Sequence, residues 1–276
     1  MSCYYPLLGL PEGIDTSLTY SVFTLNEASG AIRAPQRHGL DLALYRRPDG
    51  DGAWTLVDRL QAAADGSIVA RARHYGLAPG DLLVGVPVPR EAVSEPRPEL
   101  LPRPASKRID RAPVAERCSL GFHWRGVSSS YQGEFPLRMA EMAHGTMVSF
   151  GPLLHAAVPG ARTLLCLVNI CRRDDPTPLA LEVFEAHSRT LVRRLGWRRN
   201  GGALLELPAG QAPEAELVFR SGDALGIPIF LTLSGGDGPA SLSVEHTHPP
   251  TELFWEQDRL AGSRAVKHTW LGASLR

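Results

Sequence analysis

Ile227-Pro-Ile-Phe-Leu-Thr-Leu-Ser-Gly-Gly-Asp-Gly-Pro-Ala-Ser-Leu-Ser-Val-Glu-His-Thr-His248 is the stretch whose reading decides the fold class. Ile227, Ile229, Leu231 and Leu233 alternate with their neighbours, and after Ser234-Gly-Gly-Asp-Gly238 the alternation resumes at Leu242, Val244, His246 and His248. A period of two places such residues on one face of a strand, and a glycine-rich turn between two such runs joins neighbouring antiparallel strands.

The same signals extend outward. Leu164–Ile170 is almost wholly apolar, as a strand buried on both faces requires, and Leu179, Leu181 and Val183 alternate. Cys118–Trp124 reads as a further strand, and Ser128-Ser-Ser-Tyr-Gln-Gly-Glu134 reads as a polar loop. Pro136 opens a short helical pattern through Met142 that Gly145 can stop. Toward the N-terminus, Ser17–Leu25 puts Leu18, Tyr20, Val22 and Thr24 on one face. Strands at Leu40–Arg46, Trp54–Val57 and Leu82–Val86 are separated by turns at 48–52, Asp65-Gly66 and Ala78-Pro-Gly-Asp81.

Between Pro87 and Pro113 prolines interleave with Arg90, Glu91, Glu95, Arg97, Glu99, Arg103, Lys107 and Arg108. Proline removes ladder donors and mixed charge keeps an extended backbone solvated, so the segment reads as a semi-rigid linker, with docking to a protein partner as the other reading. The expectation is a mainly β chain: an N-terminal sandwich-like domain over 1–89, a Pro-rich linker over 90–113, and a larger antiparallel β-sandwich domain over 114–276 with one or two short helices.

The 276 residues carry 29 basic and 29 acidic side chains, so recognition of nucleic acid through a large positive excess is not expected. With 43% hydrophobic and 21% charged residues, collagen-like, coiled-coil and wholly disordered chains are excluded. The start, Met-Ser-Cys-Tyr-Tyr-Pro, lacks a basic region and a cleavage site, and no run of 18 apolar residues would span a membrane. Cys3, Cys118, Cys166 and Cys171 form no CxxC pair. On one strand Cys166 and Cys171 would sit roughly 16 Å apart, beyond disulfide reach. The expectation is four reduced thiols and a cytoplasmic protein.

Two resemblances bear on this reading. Leu42–Tyr45, Trp54–Leu56, Asp65-Gly66 and Tyr75-Gly-Leu-Ala-Pro-Gly80 together resemble transthyretin-like and collagen-adhesin B-type sandwich domains. That resemblance implies a fold and no chemistry. His246-Thr-His248 with Glu252 resembles the first metal-binding motif of cupins, although Gly238 and Gly262 stand at the wrong distances and the second motif does not follow. Paired histidines on one strand face lie ~6.5 Å apart and can share one zinc, iron or manganese ion, with Glu252, His123, His144 or His268 as third ligand. Their other reading is a hydrogen-bonded strand end stopped by Pro249-Pro250.

Tyr131, Gln132 and Glu134 combine a ring, an amide and a carboxylate suited to a polyol, with Trp255 as a further aromatic contact. Arg193, Arg194, Arg198 and Arg199 around Trp197 read as a solvated hairpin end rather than a nucleic-acid surface. Two functions follow. One is a non-catalytic binding or assembly protein whose C-terminal β-domain recognises a small-molecule or glycan ligand. The alternative is a metal-dependent enzyme in which His246, His248 and Glu252 hold the ion and Glu134 or Glu245 serves as base.

Overall fold

The computed structural model describes residues 3–11, 13–25, 32–33, 39–47, 52–105, 114–142, 145, 147–150, 160–173, 178–207, 217–222, 225–235 and 238–246. The chain is mainly β and its strand pairings are antiparallel. It divides into two compact units, residues 1–141 with 170–174, and 142–169 with 175–276.

In the first unit the strands are β1 (Cys3–Leu8), β2 (Asp15–Leu25), β3 (Ile32–Arg33), β4 (Leu40–Arg46), β5 (Thr55–Leu60), β6 (Ser67–Arg71), β7 (Leu82–Pro89), β8 (Val114–Trp124), β9 (Val127–Gln132) and β10 (Phe135–Pro136). One sheet has the order β10-β1-β7-β4-β5, and the other the order β3-β2-β8-β9, with β6 also on β2. The alternation read in Ser17–Leu25 turns Leu18, Tyr20 and Val22 into a cluster shared with Tyr5, Leu42 and Leu83 of the first sheet. The Tyr5 and Tyr20 rings meet at 5.3 Å. Each such buried side chain contributes about 1.5–3 kcal/mol.

The second unit holds β11 (Met147–Phe150), β12 (Arg162–Val168), β13 (Leu179–Glu185), β14 (Leu191–Trp197), β15 (Gly202–Leu207), β16 (Leu217–Ser221), β17 (Ile227–Ser234) and β18 (Ser241–His246). Its sheets run β11-β16-β13-β14 and β15-β12-β17-β18. Leu165, Leu167 and Phe230 of one sheet share a cluster with Leu181, Val183 and Phe219 of the other. The hairpin expected from the Ile227–His248 stretch is β17–β18, with Ile229 opposite His246. The helical pattern after Pro136 closes as a single turn, α1 (Leu137–Ala140).

The division expected at 90–113 lies elsewhere. β8, which follows that segment, pairs with β2 from Asp15↔His123 to Thr24↔Val114, so residues after the segment complete the N-terminal unit. The described part of the segment is also fastened down rather than free. Trp54 and Leu56 N–H donate to the Pro98 and Pro96 carbonyls (3.0 and 2.9 Å), and Ala105 N–H to Pro87 (2.8 Å). Arg59 donates to the carbonyls of Ala92 (2.7 Å), Pro89 (2.8 Å) and Arg90 (2.8 Å). Its Nε donates to Asp41 (2.9 Å), whose carboxylate, only 2% exposed, also takes Arg90 (3.1 Å). Proline leaves the carbonyls of such a segment without a ladder, and Arg59 with the β5 edge supplies donors to them. Residues 106–113 lie outside the described residues.

Candidate functional site

Because Leu18, Tyr20 and Val22 of β2 face the core, Asp15, Ser17, Thr19 and Ser21 lie on the opposite face, where Asp15 and Thr19 are half-buried and Ser17 (7% exposed) and Ser21 (9%) are buried. Strand register then fixes their neighbours. On β6, Arg71, Val69 and Ser67 stand opposite Ser17, Thr19 and Ser21. On β8, His123, Gly121, Ser119 and Arg117 stand opposite Asp15, Ser17, Thr19 and Ser21. On β9, Ser128, Ser130 and Gln132 stand opposite His123, Gly121 and Ser119. Strands ~4.8 Å apart with same-face residues ~6.7 Å apart make this a patch of about 14 by 20 Å. It is composed of hydroxyls, one amide, one imidazole, the Asp15 carboxylate and the guanidinium groups of Arg71 and Arg117, and Val69 is its apolar member at 50% exposure.

His123 organises one end of the patch. Its Nε2 lies 2.8 Å from Ser17 Oγ and its Nδ1 lies 2.8 Å from Ser128 Oγ. In a neutral ring one nitrogen donates and the other accepts, so one serine donates into the ring and the other accepts from it. Gly121 makes the first contact feasible: a Cβ there would stand 2.6 Å from Ser17 Oγ and 3.2 Å from His123 Nε2. Asp15 accepts the Arg73 N–H (3.3 Å) and lies 3.8 Å from the Arg71 guanidinium and 3.6 Å from that of Arg73. The two-residue turn joining β8 and β9 places Arg125 (φ 45°) and Gly126 (φ 81°) in the left-handed region, as a tight hairpin demands.

The segment read as a polar loop is therefore strand β9, and this separates the ligand residues expected from it. Gln132 lies on the outer face, exposed, opposite Ser119. Tyr131 faces inward, 9% exposed and stacked on Phe122 with ring centroids 6.3 Å apart. Adjacent strand residues point to opposite faces, so the two cannot serve one ligand surface. Glu134 follows the strand, half-buried. Burial first, and then the Glu134 carboxylate, push the Cys118 thiol well above its usual range. Trp255 lies outside the described residues.

His246 ends β18 opposite Ile229, half-buried; His248 and Glu252, with His144 and His268, lie outside the described residues. Glu245 points to the opposite side of β18 from His246 and has a buried, unpartnered Oε1. Among the described residues no group of three or more His, Cys, Asp or Glu side chains could hold a metal ion.

Around the β14–β15 connection Arg193, Arg194 and Arg198 are exposed, as a solvated end requires, whereas Arg199 (7% exposed) and Asn200 are buried. Asn169 ties this connection down: its N–H donates to the Gly201 carbonyl (3.5 Å), its side chain donates to Leu225 (2.6 Å), and its Oδ1 accepts the Asn200 N–H (3.4 Å).

No family model, curated protein or solved structure matches the chain. The outer face of β6, β2, β8 and β9 therefore has to be read from its own chemistry. Sequence reading reached Gln132 and the serine run. It missed Ser17 and Ser119 and named His123 only as a metal-ligand candidate; their signal was the polar half of the alternation in Ser17–Leu25 and Cys118–Trp124.

Proposed function

We propose that the chain is a binding protein whose N-terminal unit recognises a polyhydroxylated ligand of the glycan class on the outer face of β6, β2, β8 and β9. The observation that carries this reading is the run of Thr19, Ser119, Ser128, Ser130 and Gln132, exposed or half-buried on one sheet face, with Ser17 and Ser21 buried on the same face. Hydroxyl and amide groups both donate and accept, so such a face can match sugar hydroxyls in either sense. The rigid paired backbone orders those groups before binding, which lowers the entropic cost of contact. Shared clusters between the two sheets of each unit support reading each unit as a β-sandwich, which the resemblance of residues 42–80 to transthyretin-like and adhesin domains implies for the first unit alone. Four buried thiols fit a cytoplasmic setting, and among the described residues no helix is long and apolar enough to cross a membrane.

The test is titration of the full chain with a panel of neutral oligosaccharides, followed by Ser130→Ala with Gln132→Ala. Both residues are exposed, so the variant keeps its melting temperature. Affinity for any bound sugar is expected to fall about tenfold or more, the equivalent of ~1–3 kcal/mol for lost hydrogen bonds. Unchanged affinity in that variant would remove the face from the binding site.

A further inference from the structure

We propose that Ser17 is a nucleophile toward small acyl esters, with His123 as its general base. The assignment does not rest on glycan recognition, because its tests use reagents that contain no sugar. A serine hydroxyl reacts only when a base takes its proton as the new bond forms. Here the Ser17 Oγ–His123 Nε2 distance is 2.8 Å, within reach for that transfer, and Ser17 is 7% exposed, so only a small ester can reach its hydroxyl. The far ring nitrogen is not left to solvent: Nδ1 is 2.8 Å from Ser128 Oγ, so Ser128 can accept its proton and hold the tautomer that keeps Nε2 basic.

One further feature suits the assignment. A side chain at position 121 would collide with the Ser17 hydroxyl and crowd Nε2, so the glycine there is what lets serine and imidazole align. Arg71 stands directly opposite Ser17 on β6 with its guanidinium 3.8 Å from the Asp15 carboxylate, and would have to turn from Asp15 to meet an oxyanion formed at Ser17.

The step balances as follows. Ser17 Oγ bonds to the ester carbonyl carbon while its proton passes to His123 Nε2. Collapse of the tetrahedral intermediate breaks the bond to the leaving alcohol, whose oxygen takes that proton. Water then attacks the acyl carbon with His123 again as base, which releases the acid and restores the Ser17 hydroxyl.

The full chain is treated with a small fluorophosphonate and, separately, with p-nitrophenyl acetate. The expected result is one covalent adduct, mapped by mass spectrometry to the peptide bearing Ser17, and esterolysis that His123→Ala lowers about 100-fold, the range a general base supplies. Ser17→Ala should lose both signals, and Gly121→Ala, which keeps both reacting groups but displaces the hydroxyl, should lower labelling about tenfold. Wild-type protein that stays unlabelled, an adduct elsewhere, or labelling and esterolysis that survive Ser17→Ala or His123→Ala would overturn the assignment. The wild-type labelling result decides the matter even where a variant fails to fold.

Discussion

Replacing Tyr131 with alanine is expected to cost about 3 kcal/mol of stability, because its ring is buried on the inner face against Phe122. Chemical denaturation measures this directly, and affinity for any ligand of the outer face should be unchanged in the variant. Tyr131 was legible as an aromatic among polar residues. Which way it pointed was not, since that depends on whether Ser128–Gln132 is strand or loop. Glu185 gives a second residue-scale expectation. Hydrogen bonds from Ser188, side chain and backbone, and from the His187 N–H lower its carboxyl to about 2 from an ordinary 4.5. A lowered folded value means that these bonds stabilise the fold fully above the ordinary value, and that the stabilisation is lost as pH falls through 4.5 toward 2. Carbon-13 titration of the Glu185 carboxyl should give a midpoint near 2; a midpoint near 4.5 would show that the bonds do not form in solution.

At the scale of elements, the Pro-rich segment is where physical reading and structure part most clearly. Its composition disfavours ladder pairing, and among the described residues 90–105 no strand forms. Composition says nothing of a donor brought from elsewhere, and Arg59 supplies three hydrogen bonds to its carbonyls while neutralising buried Asp41. Arg59→Ala leaves the Asp41 charge with Arg90 alone and should destabilise the protein by ~2–3 kcal/mol, somewhat less than loss of a sole partner. Brief trypsin treatment should leave the Arg90–Glu91 bond intact in the wild type and cut it in Arg59→Ala; Arg97 and Arg103 precede proline and resist trypsin in both. Early wild-type cutting after Arg90 would return the segment to a free linker. The strands themselves were largely readable, because Leu18, Tyr20 and Val22, or Ile229 and Leu231, repeat every second residue. β9 was not, because Ser128, Ser129 and Ser130 hide the difference between its two faces.

For the whole molecule, pairing between elements distant in sequence was the illegible part. β2 and β8 join residues about a hundred positions apart, and residues 170–174 return to the first unit after the chain has entered the second. Arg172 shows how that return is held: its N–H donates to Ala140 (2.9 Å), its Nε to Leu101 (2.9 Å) and its Nη1 to Glu141 (3.0 Å). Isolated carbonyls and a lone arginine carry no sequence pattern that would announce such contacts. All four cysteines are buried, and burial pushes the Cys166 thiol up to about 12. Alkylation of the native protein should therefore be slow at all four and become complete on denaturation. The outer face of β6, β2, β8 and β9 remains the centre of the functional account, and amide chemical-shift mapping during titration with a bound oligosaccharide tests it most directly. The account predicts shifts concentrated in residues 15–21, 67–71, 117–123 and 128–132. Shifts confined to the second unit, with those four strands unmoved, would contradict it.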